Sequence, residues 1–154
     1  MKVLKTSSEN KDFKKLVKQL DDYLKEINGD DHIFYNQFNN INLIKNVIVL
    51  YEDNQPIGCG AFKKFDEQIC EIKRMFIVEK FRGKGYAKII LNELENWAKE
   101  VGYTQFILET SIKLKSAINL YTNCGYIEIE KYGQYVNAKD SRCFKKAKLI
   151  GTNN

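Results

Sequence analysis

The segment FRGKGYA, at positions 81–87, combines glycines with basic side chains at the start of an amphipathic run. Gly83 and Gly85 let an anion approach the backbone closely, and the first turn of a helix offers unpaired N–H groups at the positive end of the helix dipole. The basic side chains around them are Arg82, Lys84 and Lys88. We therefore expect a phosphate or pyrophosphate site here. Taken alone, R-G-K-G also fits an ordinary surface turn.

The elements on either side of this loop predict a strand–helix–strand unit. Residues 69–78 read ICEIKRMFIV, which is typical of a buried strand. From Tyr86 to Val101 the apolar residues follow helical spacing, and residues 104–110 predict another strand. This order favours a parallel crossover in which the helix packs on the sheet.

The rest of the chain predicts further strands and helices of ordinary length. A strand at 2–6 precedes an amphipathic helix whose apolar face begins at Phe13 and which Gly29 can end. Thr6 and Glu9 have the spacing of a capping box in front of it. The other expected elements are strands at 46–52, 57–65, 126–131 and 142–149, a short helix at 113–123, and a short helix or packed loop at 30–44.

The composition indicates a single globular domain. The 154 residues are 44% hydrophobic and 29% charged, and we assign residues 1–150 to one domain and residues 151–154 to a loose tail. No apolar run reaches the roughly 20 residues of a membrane helix, and the first residues lack the pattern of a secretory signal. The net charge of +5 comes with lysines dispersed among acids, which permits an anionic ligand without requiring nucleic acid.

The metal-ligating residue types are sparse. The chain has four cysteines, no C-x-x-C pair and one histidine, His32. We therefore expect no metal site, and we interpret the cysteines as reduced, mostly packed thiols of a cytoplasmic protein.

The order of these motifs resembles the GNAT superfamily of acyl-CoA-dependent N-acetyltransferases. The family pattern Arg/Gln-x-x-Gly-x-Gly/Ala after a strand reads Arg82-Gly83-Lys84-Gly85-Tyr86-Ala87 here, and the later Leu-Tyr block is carried by Leu120, Tyr121, Gly125 and Tyr126. The resemblance covers about residues 46–149 and, more loosely, the N-terminal helix. It implies an α/β (α+β) fold: a central mixed, mostly antiparallel, twisted sheet of about six to seven strands, flanked by about four helices, with a strand–helix–strand CoA-binding core.

The resemblance also implies that acetyl-CoA is the acyl donor and that no metal is needed. In the family, the pyrophosphate of CoA lies on backbone N–H groups of the glycine loop, and the pantetheine arm pairs with the strand before that loop. The residues assigned to CoA in this way are Met75, Phe76, Ile77, Arg82, Gly83, Lys84, Gly85, Tyr86 and Ala87. Many members carry an asparagine on the last helix that touches pantetheine, whereas this chain has Leu114 at that position.

Three residues are candidates for proton transfer. Tyr121 matches the family tyrosine that often protonates the departing thiolate, and the alternative is that it only packs in the core. Glu71 stands at the strand position where several members have a base, and the alternative is a surface glutamate paired with a lysine. Glu109, near the end of the next strand, is a weaker candidate for the base.

The acceptor side of the expected site is less defined. Tyr132, Tyr135 and Tyr35 are candidates to line the acceptor pocket, although aromatic residues in such loops often only cover a core. The favoured function is acetyl transfer from acetyl-CoA to a primary amine of a small molecule or peptide, by direct attack in a ternary complex. The alternative is a non-catalytic acyl-CoA-binding regulatory module. We expect neither nucleic acid nor membrane as a partner. The sequence leaves open whether the chain forms a homodimer.

Overall fold

The sheet contains seven strands, of which one neighbouring pair is parallel. The computed structural model describes residues 1–29 and 44–147. The strands are β1 (Lys2–Thr6), β2 (Asn46–Glu52), β3 (Gln55–Lys64), β4 (Ile69–Ile77), β5 (Gln105–Ser111), β6 (Ile127–Ile129) and β7 (Ser141–Ala147). They lie in the order β1-β2-β3-β4-β5-β7-β6, and only β4 and β5 run parallel. The predicted mixed, mostly antiparallel sheet is confirmed.

Three α-helices flank this sheet in the described part of the chain: α1 (Lys11–Asn28), α2 (Tyr86–Glu100) and α3 (Lys115–Asn123). Most of the segment at 30–44, where a short helix or packed loop is expected, lies outside the described residues. None of the three helices is long and apolar enough to cross a membrane. Gly29 ends α1 as expected, but Asn10, rather than the predicted capping box, caps its start by accepting a hydrogen bond from the Phe13 N–H at 2.8 Å.

A bulge in β4 reverses which side chains face each side of the sheet. Cys59 pairs with Phe76 and Ala61 pairs with Lys73, so two residues of β4 oppose one residue of β3. Arg74, within this bulge, has φ of +60°, a conformation that a non-glycine residue rarely adopts. As a result Lys73 and Arg74, although consecutive, both lie on the side of the sheet that α1 covers.

The same region separates β4 from β5. Their parallel register extends only over Ile69–Glu71 and 105–107. Past Glu71, β5 continues to pair with β7, while the β5-facing edge of β4 has no strand partner within the described sheet. The gap lies between the two strands that the crossover helix α2 connects. The helix and the loop before it therefore lie next to the gap.

Close packing sets the position of α2 on the sheet. A Cβ added to Gly58 would lie 2.5 Å from Ile77 Cδ1 and 3.0 Å from the Phe76 carbonyl oxygen, and one added to Gly60 would lie 2.7 Å from Leu94 Cδ1. Because both glycines lack a side chain, side chains of β4 and α2 fill the space next to them. Any larger residue at these two positions would displace those side chains. The helix rests directly on β3, which fixes the height of the loop that precedes it.

A buried polar network ties α2 to the last strands. Glu95, with 3% of its surface exposed, accepts a hydrogen bond from the Tyr126 hydroxyl at 2.8 Å and one from Lys146 Nζ at 2.8 Å. Burial, followed by the charge of Glu95, raises the pKa of Tyr126 well above its usual value. The carboxylate thus holds two donors from outside its own helix in place.

We predict that Glu95→Ala destabilises the fold by about 2–3 kcal/mol, because it leaves the buried Tyr126 hydroxyl and the Lys146 ammonium without their acceptor. Chemical denaturation of the two proteins measures this difference. Glu93→Ala, on the same helix but only partly buried, is the matched control and should change stability by no more than about 0.5 kcal/mol. Equal losses in the two variants would contradict the assigned role of the network.

Candidate active site

A groove of about 630 Å³ begins at the glycine loop and follows the open edge of β4. Its floor and walls come from the end of β4, the loop, α1 and α3. Its volume lies in the range of small-molecule and cofactor sites. The lining residues that the sequence predicts are Met75, Phe76, Ile77, Arg82, Gly83, Gly85, Tyr86, Ala87 and Tyr121. The structure therefore brings most of the expected CoA residues together along one surface.

The glycine loop adopts the left-handed backbone that its sequence requires. Gly83 has φ of +77° and Gly85 has φ of +86°, and a Cβ at either position would meet nothing within 4 Å. The glycines are thus needed for conformation, and they leave open space in front of the backbone. Gly85 caps α2 without any side-chain hydrogen bond, and no acidic residue lies in the first turn. The first N–H groups of α2 remain available to an anion.

The side chains around the loop have separate roles. Arg82 Nε donates a hydrogen bond to the Ile77 carbonyl at 2.8 Å, and its guanidinium lies 4.6 Å from the centre of the Tyr23 ring. This contact braces the loop against β4 and α1 while Arg82 still lines the groove. The Tyr86 hydroxyl donates to Glu52 at 2.9 Å, and Lys84 Nζ lies 5.7 Å from the centre of the Phe81 ring. Lys84 does not line the groove.

Tyr121 stands where the groove meets a second, smaller cavity. This cavity, of about 130 Å³, shares with the groove a wall formed by Leu20, Leu24, Met75, Leu114, Ala117 and Tyr121. Tyr121 is 6% exposed and its ring packs edge-on against Tyr126, with centroids 5.8 Å apart. Burial, with a smaller contribution from the charge of Glu109, raises the pKa of Tyr121 above its usual value. The phenol therefore keeps its proton at neutral pH.

The second cavity is lined by charged groups from two neighbouring strands. Lys73 and Arg74 come from β4, and Glu109 comes from β5, where Glu109 accepts a hydrogen bond from the Ser141 hydroxyl. Burial raises the pKa of Glu109, against the opposing effects of Ser141 and Lys73. Burial likewise lowers the pKa of Lys73. Perturbed groups of this kind in a cavity are typical of functional sites.

Glu71 lies beside this cavity but does not line it. Glu71 is 5% exposed, and its carboxylate accepts a hydrogen bond from the Tyr132 hydroxyl at 2.8 Å. The next side chain on that face, Lys73, donates to the Tyr135 hydroxyl at 3.3 Å. Tyr132 and Tyr135 pack edge-on, with ring centroids 5.6 Å apart. The two tyrosines cover the polar face of β4, and neither lines the groove or the cavity.

The observed site differs from the predicted site at several residues. Tyr35 falls outside the described residues. The α1 side chains Leu20, Tyr23 and Leu24 line the groove, although the helical pattern predicted only an apolar face that includes Leu20 and Leu24. Among the described residues, no three His, Cys, Asp or Glu side chains cluster as metal ligands would.

Several curated relatives of this chain are named N-acetyltransferases. Residues 20–126 match the Acetyltransferase (GNAT) family. Over 82 residues the chain is 39% identical to an uncharacterized N-acetyltransferase of Dictyostelium discoideum, a match that covers 53% of this chain and 38% of that protein. The chain spans about half, or less, of the length of the first curated relatives it matches.

Solved structures share the fold. A Klebsiella pneumoniae protein assigned as an acyl-CoA N-acyltransferase has a TM-score of 0.82 at 22% identity, covering 96% of this chain and 97% of that one. A GNAT family acetyltransferase from Elizabethkingia anophelis with acetyl-CoA bound has a TM-score of 0.59 at 20% identity, covering 66% of this chain and 75% of that one. Since the family match spans more than half of the sequence and the sheet, crossover helix and glycine loop agree with it, the chain belongs to the Acetyltransferase (GNAT) family.

Proposed function

We propose that this protein transfers an acetyl group from acetyl-CoA to a primary amine of a small molecule or peptide, by direct attack in a ternary complex. The observation that carries the proposal is the position of Tyr121, at the junction between the groove and a cavity that also contains Glu109. We further propose that residues 1–150 act as one domain and that the protein works in the cytoplasm. The acetyl-CoA seen in the Elizabethkingia anophelis neighbour supports the choice of donor.

Two independent features of the groove suit an acyl-CoA. The open loop at Gly83 and Gly85, together with the free N–H groups at the start of α2, suits a pyrophosphate. The unpaired edge of β4 next to Met75, Phe76 and Ile77 suits the amide groups of the pantetheine arm, which would pair there like a short strand. Together these features would direct the thioester toward Tyr121.

Two side chains then supply proton transfer. We propose that Glu109 takes the proton of the attacking amine, directly or through a water, because it lines the cavity and burial favours its uncharged form. As the amine nitrogen bonds to the carbonyl carbon and the carbon–sulfur bond breaks, Tyr121 donates its proton to the departing sulfur. Glu71 remains the second candidate for the base. It does not line the cavity, and its carboxylate already accepts a hydrogen bond from the Tyr132 hydroxyl.

The direct test of the function is the release of free CoA thiol with a panel of primary amines. We expect amine-dependent release well above the rate of acetyl-CoA hydrolysis. Tight acetyl-CoA binding with no amine-dependent release across the panel would instead favour the non-catalytic acyl-CoA-binding module.

We predict that Gly85→Asp weakens acetyl-CoA binding by about 10- to 100-fold, because it places a negative charge beside the pyrophosphate and blocks its approach. Isothermal titration calorimetry measures the change. Gly102→Asp is the matched control: Gly102 also has a positive φ, of +108°, and open space in front of it, but it lies past the far end of α2. Equal affinities of the two variants would contradict the placement of the pyrophosphate.

We predict that Tyr121→Phe lowers kcat by about 100-fold or more while the Kd of acetyl-CoA stays within about twofold, since the ring remains and only the acidic proton is lost. Steady-state kinetics and calorimetry give the two numbers. Tyr103→Phe, whose ring packs on Phe62 away from the groove, should leave both unchanged. Undiminished kcat in Tyr121→Phe would remove this residue from the acid role.

We predict that activity falls as pH decreases through a pKa above the ordinary 4.5 of a glutamate, because a base whose pKa is raised becomes protonated, and inactive, earlier on acidification. In Glu109→Gln this acid limb of the kcat/KM profile should disappear and kcat should fall by about 100-fold or more. The matched variant Glu71→Gln should keep the limb. The reverse pattern would assign the base to Glu71.

A further inference from the structure

We propose that the acceptor is a small amine that also carries a carboxylate, such as an amino acid, and that Arg74 with Lys73 holds the carboxylate while the amine faces Glu109 and Tyr121. This inference rests on the proposed function and specifies the substrate class of the same site. It comes from the second cavity, whose charged walls the CoA groove does not use.

The cavity carries charges of both signs, and they come from different strands. Its β4 wall carries the two cations Lys73 and Arg74, and its β5 wall carries Glu109. In the register, Glu71 pairs with Ile107, so Lys73 and Glu109 stand two residues further along neighbouring strands, where β4 and β5 diverge. A simple cationic amine would meet two positive groups here, whereas a dipolar ligand matches both walls.

Arg74 is the group that most requires such a ligand. Its side chain is 2% exposed, and Nη1 forms an ion pair with Asp21 of α1 at 3.1 Å. Within residues 1–29 and 44–147, Arg74 Nε has no hydrogen-bond acceptor. A buried guanidinium with an unused donor is costly, and a carboxylate accepting from it would relieve that cost. The left-handed backbone at Arg74 places this side chain on the cavity wall, at an energetic cost of its own.

The volume of the cavity suits a small acceptor. Its volume of about 130 Å³ is roughly ten times the 10–15 Å³ that one water needs by the same measure. That space suits a molecule of about the size of an amino acid. Tyr121 lines both the cavity and the groove, so the amine would meet the thioester there while the carboxylate lies deeper, against Arg74.

The experiment compares matched acceptors with the full chain and acetyl-CoA. Each amino acid of a panel is paired with its amide and with the amine that lacks the carboxylate, for example L-alanine, L-alaninamide and ethylamine. Rates are compared at equal concentrations of unprotonated amine. We expect at least one amino acid to exceed both of its partners by about 10- to 100-fold in kcat/KM. Amides, plain amines or a C-terminally amidated tripeptide performing as well as or better than every amino acid would overturn the proposal.

Arg74→Gln should abolish this preference. We expect kcat/KM for the preferred amino acid to fall by about 10- to 100-fold, mainly through KM, while the value for its amide and the Kd of acetyl-CoA stay within about twofold. Arg142→Gln makes the same chemical change at an exposed ion pair with Glu128 and should keep the preference. The comparison of acceptors in the unmodified chain decides the question if Arg74→Gln does not fold. A preference unchanged in folded Arg74→Gln would overturn the role of Arg74.

Calorimetry on the CoA-saturated protein separates this inference from the proposed function. If no amine is acetylated but an amino acid binds about tenfold or more tightly than its amide, the proposed reaction fails and the carboxylate site stands. If amines are acetylated without regard to a carboxylate, the reaction stands and this inference fails. If neither member of any pair binds or reacts, both fail.

Discussion

The divergence of β4 from β5 is the constraint on which the rest of the molecule depends. A parallel pair inside a sheet would normally remain bonded along its length, but here the ladder stops after Glu71. The bulge at Arg74 turns β4 at that point, and its positive φ means that surrounding contacts must hold the turn in place. The groove and the cavity both lie along this break in the hydrogen-bond pattern, and Tyr121 of α3 lines both of them.

The helices on the two faces of the sheet contribute in different ways to the opening between β4 and β5. On one face α2 rests on Gly58 and Gly60, close enough that the loop before it stands directly at the opening. On the other face α1 supplies both an apolar wall and Asp21, which pairs with the buried Arg74. The helices therefore do more than cover a core, since each positions one end of the same groove. Tyr132 and Tyr135 cover the polar side chains of Glu71 and Lys73 on β4.

The sequence was most informative where local chemistry alone decides the structure. Glycines at 83 and 85 predicted a loop open to an anion at a helix start, and the change from strand to helical spacing predicted the crossover. The bulge at Arg74 left no such trace, because arginine has no preference for that backbone and the bulge depends on pairing with β3. Without the bulge, the side of the sheet faced by Glu71 and the lining role of Glu109 could not be derived. The cap at Asn10 was missed because Thr6 is engaged in β1.

The open edge of β4 has a consequence for the protein before any ligand arrives. Unpaired backbone along a strand is a template for other extended chains, which is how aggregation and strand exchange begin. In this fold the unpaired edge lies between two strands of the sheet, and residues of α1 and α3 line the groove beside it. A narrow, extended ligand in this groove would meet the same backbone groups that a neighbouring strand would otherwise pair with.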